Sequence, residues 1–267
     1  MRRNDTNVDR RDLLKGAAGA SVVLAAGCIS TTDDEGDDGG DGGGGDDGTG
    51  SDNGDGGSDE VYQIGMVDAL TGSLADFGER NQRGKDLALA EINEVGVGGR
   101  ELDIVVEDSE GNGQGGVAAA QKLVNQDGVP FLIGAVGSGV SLSIYESVIQ
   151  GTDVVQLSQN STGLALSDFP GLLRMSPSGR SQSAALADIV LEDGYDEVAV
   201  TYINDEFGES LTDAFTDAYE GEVAFERAHD GEQSSYSGLL SDMNGSGADA
   251  WLFITYQQEF ATQVNNM

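Results

Sequence analysis

Residues 130–157 read PFLIGAVGSGVSLSIYESVIQGTDVVQL, and the pattern of this stretch decides the fold class. Two short runs of apolar and β-branched residues, 130–133 and 154–157, are typical of buried strands. Between them lie a glycine-rich turn and a segment, 142–149, with apolar residues at helical spacing. A strand, a helix and a second strand in this order predict a βαβ unit with parallel strands.

The same alternation continues through residues 61–267 and is interrupted near 170–178. It predicts an α/β fold of two Rossmann-like lobes with parallel sheets, lobe 1 at 61–178 and lobe 2 at 179–267. The remaining predicted strands are 61–67, 102–106, 198–203, 222–228 and 251–255. The remaining predicted helices are 76–95, 117–124, 181–191, 210–219, 236–243 and 261–267.

Residues 1–27 have the pattern of an export signal. The pair Arg10 and Arg11 precedes Leu-Leu-Lys and an uncharged stretch, 16–26, of mostly small and apolar residues. The segment resembles a twin-arginine signal, and Cys28 follows it as in a lipobox. We therefore expect a signal peptide at 1–27 and a lipid on Cys28. A buried N-terminal helix with an incidental cysteine is the alternative.

Residues 28–60 predict a disordered tether after the lipidated cysteine. From residue 29 onward this segment holds 12 acidic residues, 12 glycines and no aromatic residue. Such a composition cannot bury enough apolar surface to fold. The run 52–56 faintly resembles a calcium loop, but it lacks the closing glutamate, so a solvated tether is favoured.

The charge balance excludes several classes of partner and site. Lysine and arginine total 13 against 48 aspartate and glutamate residues, a net charge of −35. This excess excludes nucleic acid as a partner and electrostatic docking on anionic lipid. Because the excess persists outside the tether, it favours a halophilic protein over an ordinary one with an acidic tail. Cys28 and His229 are the chain's single cysteine and histidine, so no metal site is predicted.

Neither a cofactor nor catalysis is predicted. Residues 111–116 match G-x-G-x-x-G, but the acidic loop 107–110 before them would repel a pyrophosphate. A flexible glycine loop is favoured over a dinucleotide fingerprint. His229 follows a predicted strand, and no serine stands in G-x-S-x-G, so His229 is interpreted as an ordinary strand-end residue.

Three loops at the carboxyl ends of predicted strands are candidates for ligand binding: 68–78, 134–139 and 158–162. In open parallel sheets, ligands bind at this edge, beside the N-termini of helices. Ser138 stands among glycines before a predicted helix, a setting that suits a bound carboxylate. A simple helix N-cap explains Ser138 equally well.

These loops, in this order, resemble the branched-chain amino-acid-binding proteins of ABC importers, a leucine-binding-like family with the periplasmic-binding-protein type I fold. Together with the export signal, Cys28 and the acidic charge balance, this resemblance suggests a lipoprotein of haloarchaeal type. The segments that carry the resemblance are 64–66, 70–72, 121–134, 173–177 and 202–208.

The resemblance implies six ligand-binding residues: Ser138, Asn160, Thr162, Phe77, Phe207 and Tyr256. The two hydroxyl groups would bind the carboxylate and the amine of the ligand, and Asn160 would contribute through its backbone. The aromatic residues would pack against the ligand and close over it. Ordinary core packing is the alternative for the aromatic residues.

The resemblance also implies a function and a location. The protein would be a non-enzymatic, extracytoplasmic component that captures a branched-chain or similar amino acid by closure of two lobes. It would pass the solute to ABC permease subunits, while Cys28 anchors it at the outer face of the cytoplasmic membrane. A receptor sensing domain, a binder of amides or urea and an exported hydrolase are the alternatives. Because the family's chains continue further, we expect lobe 2 to be incomplete and the ammonium-binding acid to lie beyond Met267.

Overall fold

A computed structural model describes residues 61–267. The predicted signal, Cys28 and the tether lie outside the described residues. Within this range the chain forms eight strands and seven α-helices. The strands are β1 (Tyr62–Asp68), β2 (Leu102–Asp108), β3 (Phe131–Ile133), β4 (Val155–Ser158), β5 (Leu172–Arg174), β6 (Glu197–Ile203), β7 (Glu222–His229) and β8 (Ala250–Ile254). The helices are α1 (Ala75–Asn93), α2 (Gly113–Gln121), α3 (Ser138–Ile144), α4 (Gly179–Glu192), α5 (Glu206–Ala218), α6 (Ser237–Gly245) and α7 (Gln257–Asn265).

The strands form two sheets, and every pairing in them is parallel. The first sheet has the order β2-β1-β3-β4-β5, and the second has the order β7-β6-β8. The prediction of an α/β fold with parallel sheets is therefore confirmed. Because all strands of a sheet point the same way, the loops that follow them gather at one edge.

Each sheet has its own apolar core. The first core surrounds β3, where Leu132 is fully buried beside Leu123 and Ile144 of the covering helices. The second core surrounds β6, where Val198 and Val200 pack against Phe215 of α5. These apolar residues belong to the runs that the sequence pattern assigned to strands and helices.

Except for α6, the helices begin earlier than their apolar periodicity predicts. The predicted starts at 117, 142 and 210 become Gly113, Ser138 and Glu206. Each added first turn consists mainly of glycine and polar residues, and a single apolar residue such as Val140 or Phe207 shows no helical spacing. Asn112 caps α2 by accepting a hydrogen bond from the Gly115 N–H at 2.9 Å.

Strand β5 lies within the segment 170–178, where no strand was predicted. It contains only three residues and pairs with β4 as the edge of the first sheet. Such a short strand lacks a detectable alternation of side chains. The apolar positions of α1 also differ from a simple core-facing pattern, since Leu87 is 63% exposed.

None of the helices within residues 61–267 combines the length and apolarity needed to cross a membrane.

Two glycines allow a helix to lie directly against the end of a strand. A Cβ atom added to Gly78 would stand 1.9 Å from the carbonyl oxygen of Ala69, just after β1. A Cβ atom added to Gly208 would stand 1.9 Å from the carbonyl oxygen of Ile203, the last residue of β6. Only glycine fits at both positions, because the obstructing atom belongs to the backbone.

We expect Gly78→Ala to destabilise the fold, because the new methyl group would overlap the Ala69 carbonyl oxygen. The free energy of unfolding should fall by about 1–3 kcal/mol or more, the usual cost of overpacking. Gly84→Ala on the same helix is the matched control, since nothing lies within 4 Å of its added Cβ. That variant should gain roughly 0.5–1 kcal/mol from helix propensity. Denaturant unfolding measures both, and equal stability of the two variants would contradict the close approach.

Candidate functional site

A cavity of about 200 Å³ opens where the carboxyl ends of the two sheets face each other. All six predicted ligand-binding residues line it: Phe77, Ser138, Asn160, Thr162, Phe207 and Tyr256. Two come from the loop after β4, three lie in the first turns of α1, α3 and α5, and one follows β8. We call this cavity the primary pocket. Whether these residues bind a ligand stays a prediction.

The polar wall of the primary pocket is formed by Ser138 and Thr162. Ser138 is the first residue of α3, its side chain makes no capping bond, and Gly137 holds the N-cap position. The N-cap explanation of Ser138 is therefore wrong. Its hydroxyl oxygen instead accepts a hydrogen bond from the Gly163 N–H at 3.0 Å, which joins the two polar loops.

Two buried hydroxyl groups in this pocket have no hydrogen-bond partner within the described part of the chain. They are Thr162 Oγ1 and Thr255 Oγ1, one from each sheet. A buried polar group without a partner costs roughly 1–3 kcal/mol, so such groups are rare unless something else satisfies them. The pocket therefore has unused hydrogen-bonding capacity that a polar solute can satisfy.

Buried serines hold the loop before α3 in place. Ser141 Oγ accepts a hydrogen bond from the Ala135 N–H at 2.9 Å and lies 2.9 Å from Ser161 Oγ. On the other side, Arg174 Nη1 donates to the carbonyl oxygens of Thr162 and Gly163 at 3.2 and 2.7 Å. Both contacts fix the backbone that presents the polar wall.

Asn160 is positioned through its side chain. Its Oδ1 accepts a hydrogen bond at 3.0 Å from Asn81 Nδ2, which also donates to Asp68 Oδ1 at 2.9 Å. Asp68 is fully buried at the end of β1, and Gln82 Nε2 donates to its other oxygen at 2.9 Å. The network connects the loop after β4 to β1 and α1.

Three aromatic rings form the apolar wall of the pocket. Phe207 stacks on Tyr256 with ring centroids 5.1 Å apart, and Phe77 meets the same tyrosine edge-on at 6.4 Å. Phe77 belongs to α1 and Tyr256 follows β8, so this contact joins elements of the two sheets. Arg80 adds a second connection, since its Nη2 donates to Gln257 Oε1 at 3.0 Å.

The hydroxyl group of Tyr256 donates a hydrogen bond to Asp205 Oδ2 at 2.8 Å. Burial raises the pKa of Tyr256, and the neighbouring Asp205 carboxylate raises it further. Burial also raises the pKa of Asp205, with a smaller contribution from the charge of Glu259, against the lowering effect of its hydrogen bonds. The tyrosine thus stays protonated and keeps its ring fixed at the pocket wall.

Sequence reasoning missed three residues that line the pocket, Gln182, Thr255 and Gln257. Thr255 directly follows β8, so its position at a strand end was an available signal. Gln182 lies on α4 beyond the predicted break, and nothing in its neighbourhood marks it.

The other candidate sites have structural explanations. Residues 113–116 form the first turn of α2, which corrects the expected flexible loop. His229 ends β7, and its Nε2 lies 2.9 Å from Gln263 Nε2. Among residues 61–267, no cluster of three or more histidine, cysteine or acidic side chains is arranged to hold a metal ion.

Asp108 joins two of the loops at this edge. Its carboxylate accepts hydrogen bonds from Thr71 Oγ1 at 2.6 Å and from the N–H groups of Leu70 and Glu110 at 2.9 and 2.8 Å. Burial alone would raise the pKa of Asp108, but these hydrogen bonds outweigh it and lower the pKa. The ionised carboxylate therefore stabilises the loop after β1.

The chain is similar in sequence to known binding proteins. A family model described as "Periplasmic binding protein" matches residues 61–266. Leu/Ile/Val-binding protein homolog 3 of Brucella melitensis is 29% identical over 204 residues, which cover 73% of this chain and 55% of that protein. The chain thus spans just over half the length of this relative.

Solved structures show the same fold. The leucine-binding protein LivK of Thermotoga maritima superposes with a TM-score of 0.71 at 23% identity, covering 76% of this chain and 58% of that one. LivJ of Streptococcus pneumoniae, solved with isoleucine, gives a TM-score of 0.67 at 22% identity, covering 73% and 57%. These relatives carry the names of binding proteins rather than enzymes.

We expect Asp108→Asn to remove a pH-dependent contribution to stability. Because the folded pKa lies below the unfolded value of about 3.9, the contribution is present above that value. It is lost as the pH falls through the lower folded pKa. The stability difference between wild type and variant should therefore be largest above about pH 5 and shrink towards pH 2.

Denaturant unfolding at several pH values measures this difference. Asp103→Asn on the same strand is the control, since it loses one exposed hydrogen bond, from Gln63. That change should cost less than about 0.5 kcal/mol. A constant gap between wild type and Asp108→Asn from pH 6 to pH 2 would contradict the assigned role.

Proposed function

We propose, from the premise that this chain belongs to the periplasmic binding protein family, that it is the extracytoplasmic solute-binding component of an ABC importer. Its solute is a branched-chain or similar amino acid. The observation that carries the proposal is the primary pocket, in which two unpartnered hydroxyl groups face three aromatic rings. This combination suits a solute with one polar end and one apolar end.

The polar wall fits the carboxylate of the solute. The helical segment that starts at Ser138 leaves its first backbone N–H groups without partners inside the helix, and its dipole favours a negative charge there. Thr162 Oγ1 adds a hydroxyl donor that no other described residue uses. The side chain of the solute then packs against the wall formed by Phe77, Phe207 and Tyr256.

Closure of two lobes completes the mechanism. In this proposal lobe 1 comprises residues 61–178 and lobe 2 residues 179–267, so that the pocket lies between them. Phe77 and Arg80 of lobe 1 contact Tyr256 and Gln257 of lobe 2, and such contacts stabilise a closed arrangement. Closure removes water from the solute and gives the permease a surface that differs from the empty form.

The remaining elements of the proposal concern location. A twin-arginine signal at 1–27 exports the folded protein, and a lipid on Cys28 holds it at the outer face of the membrane. Residues 28–60 then act as a tether that lets the binding domain reach the permease subunits. The net charge of −35 keeps the protein hydrated at high salt, which supports a halophilic host.

Thr162→Val tests the pocket without disturbing the fold. The Thr162 hydroxyl makes no hydrogen bond in the described structure, so its replacement by a methyl group should leave the unfolding temperature unchanged or slightly raised. The affinity for leucine should fall by about 10-fold or more, since hydrogen bonds to charged groups contribute roughly 1.5–3 kcal/mol. Isothermal titration calorimetry in molar salt measures this affinity.

Thr216→Val is the matched control, because Thr216 lies on the exposed face of α5, outside the pocket. It should bind leucine as the wild type does. Equal affinities of all three proteins would remove Thr162 from the site. If the wild type binds no member of an amino-acid and amide panel, the proposed function is wrong.

A further inference from the structure

A second cavity of about 410 Å³ adjoins the primary pocket. Both cavities are lined by Gly137 and Tyr256, so the tyrosine stands between them. The wall from the first sheet contains glycines 111, 113 and 139 with Ser73 and Ser143. The wall from the second sheet contains Asn204, Asp205 and Glu259. We call this cavity the acidic chamber.

The acidic chamber contains two carboxylates and no basic group. None of its lining residues, all of which fall within the described range, is lysine, arginine or histidine. Asp205 has both oxygens engaged, since Oδ1 accepts from the Gly208 N–H and Oδ2 from the Tyr256 hydroxyl. The Asp205 charge is therefore fixed in position at the wall that separates the two cavities.

Glu259 is the more unusual of the two carboxylates. It is only 3% exposed, and its Oε2 has no hydrogen-bond partner among the residues described. Its Oε1 accepts a single long hydrogen bond from the Glu232 N–H at 3.3 Å. A position in the first turn of α7 favours its negative charge but does not provide a counterion.

A buried carboxylate without a cation is expensive, and its cost falls when a positive group binds beside it. The two charges also interact, since the charge of Glu259 raises the pKa of Asp205, although by less than burial raises it or the hydrogen bonds of Asp205 lower it. A cation in the chamber would relieve the desolvation of Glu259 and the repulsion between both carboxylates. An apolar side chain in the same place would leave both costs unchanged.

We propose that the acidic chamber is a cation subsite, which receives the ammonium or guanidinium group at the end of an amino-acid side chain. The carboxylate of that amino acid lies in the primary pocket, and its side chain passes Tyr256 to reach Glu259. The protein therefore takes basic amino acids in addition to apolar ones. This inference rests on the proposed function, because it uses the primary pocket to hold the other end of the solute.

Matched solutes test the subsite by calorimetry on the wild type. Arginine and citrulline differ in the charge of one terminal group, and lysine and norleucine form a second such pair. The wild type should bind the charged member of each pair at least about 10-fold more tightly. Equal affinities within both pairs would overturn the cation subsite, while leucine binding would leave the proposed function standing. If no amino acid binds, the proposed function and the subsite both fail.

The variant Glu259→Gln tests whether Glu259 causes the preference for charged over uncharged solutes. The change removes a buried charge at nearly constant shape, so a thermal melt should show equal or higher stability. Arginine should lose its advantage over citrulline, while the affinity for leucine stays the same. Glu220→Gln, which removes an exposed carboxylate outside the chamber, should keep the advantage. A Glu259→Gln variant that weakens leucine and arginine equally, or that keeps the full preference for arginine, would contradict the proposal.

Discussion

The architecture depends on the close approach of a helix to the end of a strand, which occurs in both sheets. Gly78 and Gly208 lie in the first turns of α1 and α5, where a carbonyl oxygen occupies the space of a side chain. Each glycine directly follows a phenylalanine, Phe77 or Phe207, and both phenylalanines line the primary pocket. The contact that positions each helix therefore also places an aromatic ring at the primary pocket. The pocket is a consequence of how two strand-to-helix turns are packed.

The order of strands and helices could be predicted because β-branched runs and helical spacing depend on local sequence. The first turns of α3 and α5 could not, since Ser138–Gly139 and Glu206 carry no apolar pattern, and tertiary contacts decide where those helices begin. Strand β5 was missed because its three residues, Leu-Leu-Arg, include no β-branched or aromatic residue, whereas the equally short β3 is Phe-Leu-Ile. Apolar periodicity also did not foresee that Leu87 is exposed.

The candidate site was predictable to the extent that strand ends mark it. All six residues implied by the family resemblance line one cavity, because the carboxyl ends of parallel strands meet at one edge. The sequence does not reveal which polar atoms already have hydrogen-bond partners within the protein. Ser138 Oγ accepts a hydrogen bond from the Gly163 N–H, whereas the hydroxyl groups of Thr162 and Thr255 have no hydrogen-bond partner among residues 61–267. That difference follows from three-dimensional packing, and it determines which atoms can bind a solute.

The two sheets contribute opposite electrostatic character to the cleft. The first supplies the N-terminus of α3 and hydroxyl groups, which favour negative charge, and the second supplies Asp205 and Glu259, which favour positive charge. A crystal structure with a bound amino acid tests the central claim most directly. The account predicts the solute carboxylate within hydrogen-bond distance of Thr162 Oγ1 and of the backbone at Ser138, with its side chain against the rings of Phe77 and Tyr256. A solute bound elsewhere, with the Thr162 hydroxyl still unpartnered, would contradict it.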